Sequence, residues 1–110
     1  MSKSKEIARL AQISKLILDV KLAALHGAAN RRQQSLDLLA QLENPIEATD
    51  LCPIKANQAN LRYQRWADLR RAEINIALAR QSAEMLLARD HVGEAFSKNQ
   101  ALLSLSRRKS

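Results

Sequence analysis

Both prolines of this chain fall in one place. Pro45 and Pro53 are its only prolines, and Gly27 and Gly93 its only glycines. The two prolines bracket the stretch Asn44-Pro45-Ile46-Glu47-Ala48-Thr49-Asp50-Leu51-Cys52-Pro53. On either side lie long stretches rich in good helix formers. Ala and Leu occur 18 times each, and with Glu, Lys and Arg they make 60 of 110 residues. Such residues keep their side-chain freedom in a helix and cost little to order there. The expected fold is all-α: a two-helix antiparallel coiled-coil hairpin. Its helices should run over about residues 4–43 and 54–105, with a loop at 44–53 and a basic tail at 106–110. One hundred and ten residues make a single domain.

The ends of the helices follow from local chemistry. Ser2 or Ser4 can cap the first helix. Pro45 should stop it by Asn44, because a residue before proline avoids helical dihedrals. Asp50 or Thr49 can cap the second helix, and Pro53 suits its first turn, where the missing N–H is not needed.

The seam has a heptad spacing. In the first helix Leu10, Ile13, Ile17, Val20 and Ala24 follow the three-four alternation of a coiled coil. A second stripe, Leu18, Leu22, Leu25, Ala29, Leu36 and Leu39, runs beside it. Either the apolar face drifts with a 3.6-residue period, or a stutter sits near Gly27. Gly27 either bends the helix or lets a neighbour approach closely. In the second helix Leu69, Ala72, Ile76, Ala79, Ala83 and Leu86 form the clearer seam. If the turn centres near residues 48 and 49, the numbers of facing residues sum to roughly 97, at 1.5 Å rise along both helices. Leu25 then faces Ala72 and Leu10 faces Leu87. Residues after about 95 should overhang without a partner within the chain.

A thin hairpin leaves little room for an enclosed site. His26, Cys52 and His91 fall in separate regions, so neither a Cys–His pair nor a four-ligand metal site assembles. Two isolated glycines do not make a phosphate loop. No cofactor and no enzymatic activity are expected. The lone Cys52 fits a reducing compartment. No run approaches the ~20 apolar residues of a membrane span. A cytoplasmic chain follows.

The formal charge of +7 favours acidic partners. Arg62, Tyr63, Arg65, Trp66, Arg70 and Arg71 concentrate arginine around two aromatic rings. Arg62 and Arg70 each stand four residues from Trp66, within reach of its indole. At the expected register Arg31 and Arg32 join them, making a belt of six arginines. Trp and Arg are enriched where partners bind tightly, so the belt is a candidate docking surface; the competing interpretation is a solvated basic face with Trp66 packed on the first helix. Phe96, Leu102, Leu103 and Leu105 form a second candidate, to be covered by a partner, by the N-terminal residues or by a second copy of the chain.

The pattern as a whole, and the stretch Arg80-Gln81-Ser82-Ala83-Glu84-Met85-Leu86-Leu87-Ala88-Arg89-Asp90-His91-Val92-Gly93-Glu94-Ala95-Phe96 in particular, resembles the FliJ/YscO family. These are the stalk proteins of flagellar and virulence type III export ATPases. The resemblance implies insertion into a hexameric export ATPase, promotion of ring assembly, and contact with the export gate, a membrane protein. It places the chain in the cytoplasm, peripheral to the membrane-bound export apparatus. Helix ends would enter the ring, and the Arg62–Arg71 segment would lie at a ring or gate contact. Two other functions stay open: a nucleic-acid binder using the same arginines, with Tyr63 and Trp66 as stacking surfaces, and a self-associating structural scaffold.

Overall fold

The computed structural model describes residues 2–43 and 52–109. Two helices, α1 (Ser2–Leu42) and α2 (Pro53–Lys109), pack against each other as an antiparallel hairpin. Pro53 is the first helical residue of α2, as its missing N–H favours. The expected roles of Asn44, Pro45, Thr49 and Asp50 fall outside the described residues. At its C-terminal end α2 remains helical to Lys109, through most of the segment expected as a basic tail after the helix. No helix among the described residues is long and apolar enough to cross a membrane.

The molecule measures 85 × 21 × 14 Å. At 1.5 Å per residue, the 57 residues of α2 account for that length alone, and the 41 of α1 for roughly 60 Å. The register shows where the shorter helix lies. Asn99 Nδ2 donates to the carbonyl of Ala11 at 3.4 Å, and Arg32 Nε donates to Ser82 Oγ at 3.0 Å. Facing residue numbers therefore sum to about 112. The expected register was two heptads away from this. Leu42 lies beside Tyr63 and Ala67, so the first turns of α2 project past the end of α1. The predicted overhang at the other end does not exist: Ala95 and Asn99 are buried.

The seam is also rotated from the expected one. On α1, with Leu22, Gly27, Ala29 and Leu36 half-buried beside them, the covered positions along the seam are Ile7, Ala11, Ser14, Leu18, Lys21, Leu25, Ala28, Arg32, Ser35, Leu39 and Leu42. They alternate steps of four and three without a break, so the seam has no stutter near Gly27. On α2 the same alternation runs from Ile74 through Leu78, Gln81, Met85, Ala88, Val92, Ala95, Asn99 and Leu102 to Ser106. Below Ile74 the covered positions Arg71, Ala67, Tyr63 and Ala59 are separated by successive steps of four. From Ile74 to Tyr63 three steps cover eleven residues, a local ~3.67-residue period that slackens the left-handed supercoil near Tyr63. Of the two stripes expected on α1, the second, Leu18, Leu22, Leu25, Ala29, Leu36 and Leu39, is half-buried along the seam, whereas the first, like the stripe expected on α2, faces outward. Leu10, Ile13, Ile17 and Val20 are 46–66% exposed, and Leu69, Ile76 and Leu86 are 53–73% exposed.

The inversion has a packing reason. Ala11, Ser14, Ala28, Ser35, Ala67 and Ala95 fill the buried line, and such small side chains let the helices approach closely. Larger apolar groups, among them Leu18, Leu25, Leu78 and Met85, alternate with them and stay half-buried. Leu42, Ala67 and Ile74, with Leu39 and Tyr63 against them, form a buried apolar cluster. Polar side chains pin the register. Ser35 Oγ–H donates to Gln81 Oε1 at 2.6 Å, beside the bonds of Arg32 and Asn99. No buried side-chain polar atom of the described residues lacks a hydrogen bond.

Candidate interaction surfaces

The rotated seam decides what the molecule offers to a partner. On α1, Leu10, Ile13, Leu16, Ile17, Val20, Ala23 and Ala24 are all exposed. They form an uncharged strip about 20 Å long at 1.5 Å per residue. Its inner edge forms a groove of ≈ 490 Å³ between the helices, lined by Leu10, Ile13 and Ile17 on one side and by Ala95 and Leu102 on the other. Lys21, His91, Glu94 and Lys98 ring the groove, giving it an apolar floor and a mixed-charge rim. A contiguous apolar strip with a polar rim is what helix-in-groove recognition uses.

The six-arginine belt does not assemble. The true register carries Arg31 and Arg32 to the level of Ser82. That is about 24 Å along α2 from Trp66, at 1.5 Å per residue. Arg32 is half-buried and held by Ser82; Arg31 is exposed, and its guanidinium fills the space beside Gly27. That contact replaces the close helix approach expected at Gly27, and α1 passes through this residue uninterrupted.

The α2 part of the belt stays together and is largely paired. Arg70 binds Glu73 at 3.2 Å and Arg71 binds Asp68 at 2.8 Å, all on one helix, with Arg71 half-buried and the other three solvent-exposed. Such pairs contribute only ~0.3–0.5 kcal/mol each. Arg62 and Arg65 are exposed. The rings of Tyr63 and Trp66 stand 5.9 Å apart and tilted by 42°. Tyr63 is half-buried and its hydroxyl donates to the carbonyl of Leu42 at 3.2 Å. It thereby satisfies one of the orphan carbonyls at the end of α1. Trp66 is 55% exposed and lines a groove of ≈ 460 Å³ with Leu38, Gln41 and Arg70.

The second predicted patch separates. Phe96 points outward at 52% exposure. Leu102 and Leu103 are half-buried, each lining a different groove against the start of α1. The first turns of α1 therefore cover part of the patch, one of the three covers expected for it. His26 and His91 are exposed on different helices, and Cys52 is exposed just before α2. Among the described residues no three His, Cys, Asp or Glu side chains are grouped to hold a metal.

Sequence reasoning found the apolar strip of α1 but assigned it to the interior. Its exposure could have been read from the competing small-residue line through Ala11, Ser14, Ala28 and Ser35, which keeps heptad phase for the whole helix.

Compared with family models, with curated proteins and with solved structures, the chain matches none.

Proposed function

We propose that this chain is a non-enzymatic interaction protein, a coiled-coil rod that engages other proteins along its side. The observation that carries this proposal is the inverted apolar pattern. Alanine and serine supply most of the fully buried positions, while Leu10, Ile13, Ile17 and Val20 stand in an uncharged, exposed strip. The surface area agrees. A compact monomer of this mass would expose about 6,100 Å², whereas the chain exposes 8792 Å². The difference exceeds the ~800 Å² that each partner buries in a standard interface.

Within that class, the role we propose is stalk or adaptor of a type III, flagellar-type protein-export ATPase, promoting ring assembly and coupling to the export gate. The resemblance of the Arg80–Phe96 stretch suggested it. A narrow antiparallel rod, 85 Å long and only 21 Å wide, has a shape suited to the lumen of a ring. Against the nucleic-acid alternative, Arg31 and Arg32 sit far from Trp66, and Arg70 and Arg71 are ion-paired with Glu73 and Asp68.

The test is reconstitution with the hexameric export ATPase of the same cell. One chain should bind per ring and raise the rate of ATP hydrolysis. Replacing both Ile13 and Ile17 with Glu should abolish binding while leaving the circular dichroism spectrum unchanged. Trp66→Ala tests the second groove in the same assay. Absence of any complex with the ring would overturn the export role; retention of every partner by the Ile13/Ile17 variant would overturn the role of the strip.

A further inference from the structure

The outer face of α2 carries a pattern that packing against α1 does not use. Leu69, Ala72, Ile76, Ala79, Ala83 and Leu86 recur in steps of three and four, and all six are exposed. In a supercoiled pair each heptad position keeps its angle to the seam, so these residues form one straight stripe on the far side from α1. Their spacing is unchanged when read backwards. Laid antiparallel on a copy of itself, with the two-fold axis between Ala77 and Leu78, the stripe sets Leu69 on Leu86, Ala72 on Ala83 and Ile76 on Ala79. The central contacts pair a large side chain with a small one, as close helix packing needs.

The charges obey the same symmetry. In an antiparallel coiled coil, residues flanking the seam meet their counterparts on the other helix. That geometry brings Glu73 to Arg80 of the copy and Asp68 to Arg89 of the copy. One turn farther out, Arg65 falls opposite Asp90. The remaining flanking positions pair Asn75 with Ser82 and Trp66 with Leu87. No like charges meet between Arg62 and Gly93. An isologous two-fold contact repeats each pairing, giving six opposite-charge pairs. All these charged residues are exposed. The existing partners of Glu73 and Asp68 leave their carboxylates free to accept a second contact, since the two side chains are 68% and 74% exposed.

We infer that the outer face of α2 is a homodimer interface, taken up by a second, antiparallel copy of this chain. The occupant follows from the self-complementarity, which a foreign helix would have to reproduce residue for residue. The uncharged strip on α1 lacks such register-setting charges and stays available to another partner. The inference goes beyond the export role and does not depend on it; entry of a single chain into a ring would require the dimer to dissociate.

Sedimentation of the full chain under reducing conditions, up to about 100 μM, tests it. Wild type should form dimers. Ile76→Glu places two carboxylates in the seam and should raise the dissociation constant by ~100-fold or more, with helical content unchanged. Glu73→Arg should weaken the dimer by ~10-fold by opposing Arg80 of the copy, and Glu73→Arg combined with Arg80→Glu should restore it. Ile17→Glu should leave the dimer intact. A wild-type chain that stays monomeric over this range overturns the proposal. So does an Ile76→Glu chain that still dimerises, a double swap no stronger than the single one, or a dimer lost in Ile17→Glu.

Discussion

Two isoleucines only two residues apart provide a direct check on which face of α2 meets α1. Ile74 is 4% exposed within the cluster of Leu42 and Ala67, whereas Ile76 is 73% exposed. Ile74→Ala removes a buried side chain and leaves a gap beside Leu42. Such truncations cost 2–5 kcal/mol. The site borders an open groove with Leu38, Tyr63 and Trp66, so its walls can relax, and a cost of about 3 kcal/mol follows. For a domain of this size about 3 kcal/mol lowers the melting temperature by roughly 12–15 °C. Ile76→Ala loses little burial in the monomer and gains up to ~0.5 kcal/mol of helix propensity, so its melting point should stay within about 3 °C of wild type. The assay is thermal unfolding followed by helical circular dichroism, at a concentration where sedimentation shows the monomer. If Ile76→Ala is the more damaging change, the seam described here is wrong and the stripe through Leu69 and Leu86 faces α1 instead.

Three other substitutions probe separate features. Asn99 is 6% exposed and donates to the Ala11 carbonyl, so Asn99→Leu should raise the melting temperature while loosening the pairing register, seen as a broader distribution of species in sedimentation. Tyr63→Phe removes the bond to the Leu42 carbonyl; it should cost about 0.5–1.5 kcal/mol and speed hydrogen exchange in the last turn of α1. Gly93 lies inside α2 and a Cβ there would meet nothing within 4 Å, so Gly93→Ala should stabilise the chain by ~1 kcal/mol, read as a higher urea midpoint.

The hairpin was legible because Pro45 and Pro53 confine the interruption and because little else in the chain opposes a helix. The phase of the seam was legible only in part. An apolar heptad stripe says that a helix has a face, but α1 has several and α2 has two. The second stripe on α1, with Leu18, Leu25 and Leu39, proved to be covered, whereas weighting by hydrophobicity had put Leu10, Ile13 and Ile17 ahead of Ala11 and Ser14, the small residues that alternate with those leucines in the buried line. The register failed for a related reason. Counting symmetrically from the middle of the interruption assumes two helices that start level, whereas Leu42 meets Tyr63 and Ala67, well inside α2. The arginine belt depended on that count, so Arg31 and Arg32 left it when the register moved. Arg62, Arg65, Arg70 and Arg71 share one helix, and their grouping with Trp66 needed no register at all.

Ser106 and Ala8 border the same groove, so α1 begins and α2 ends at the same pole of the rod. Tension applied through the first and last residues therefore loads the pairing from one end. It peels the helices apart heptad by heptad, with the bond from Asn99 to Ala11 among the first to strain. A push along the long axis is shared by the whole seam at once. The protein is thus a strut that resists compression and a zipper that yields to a pull at its ends.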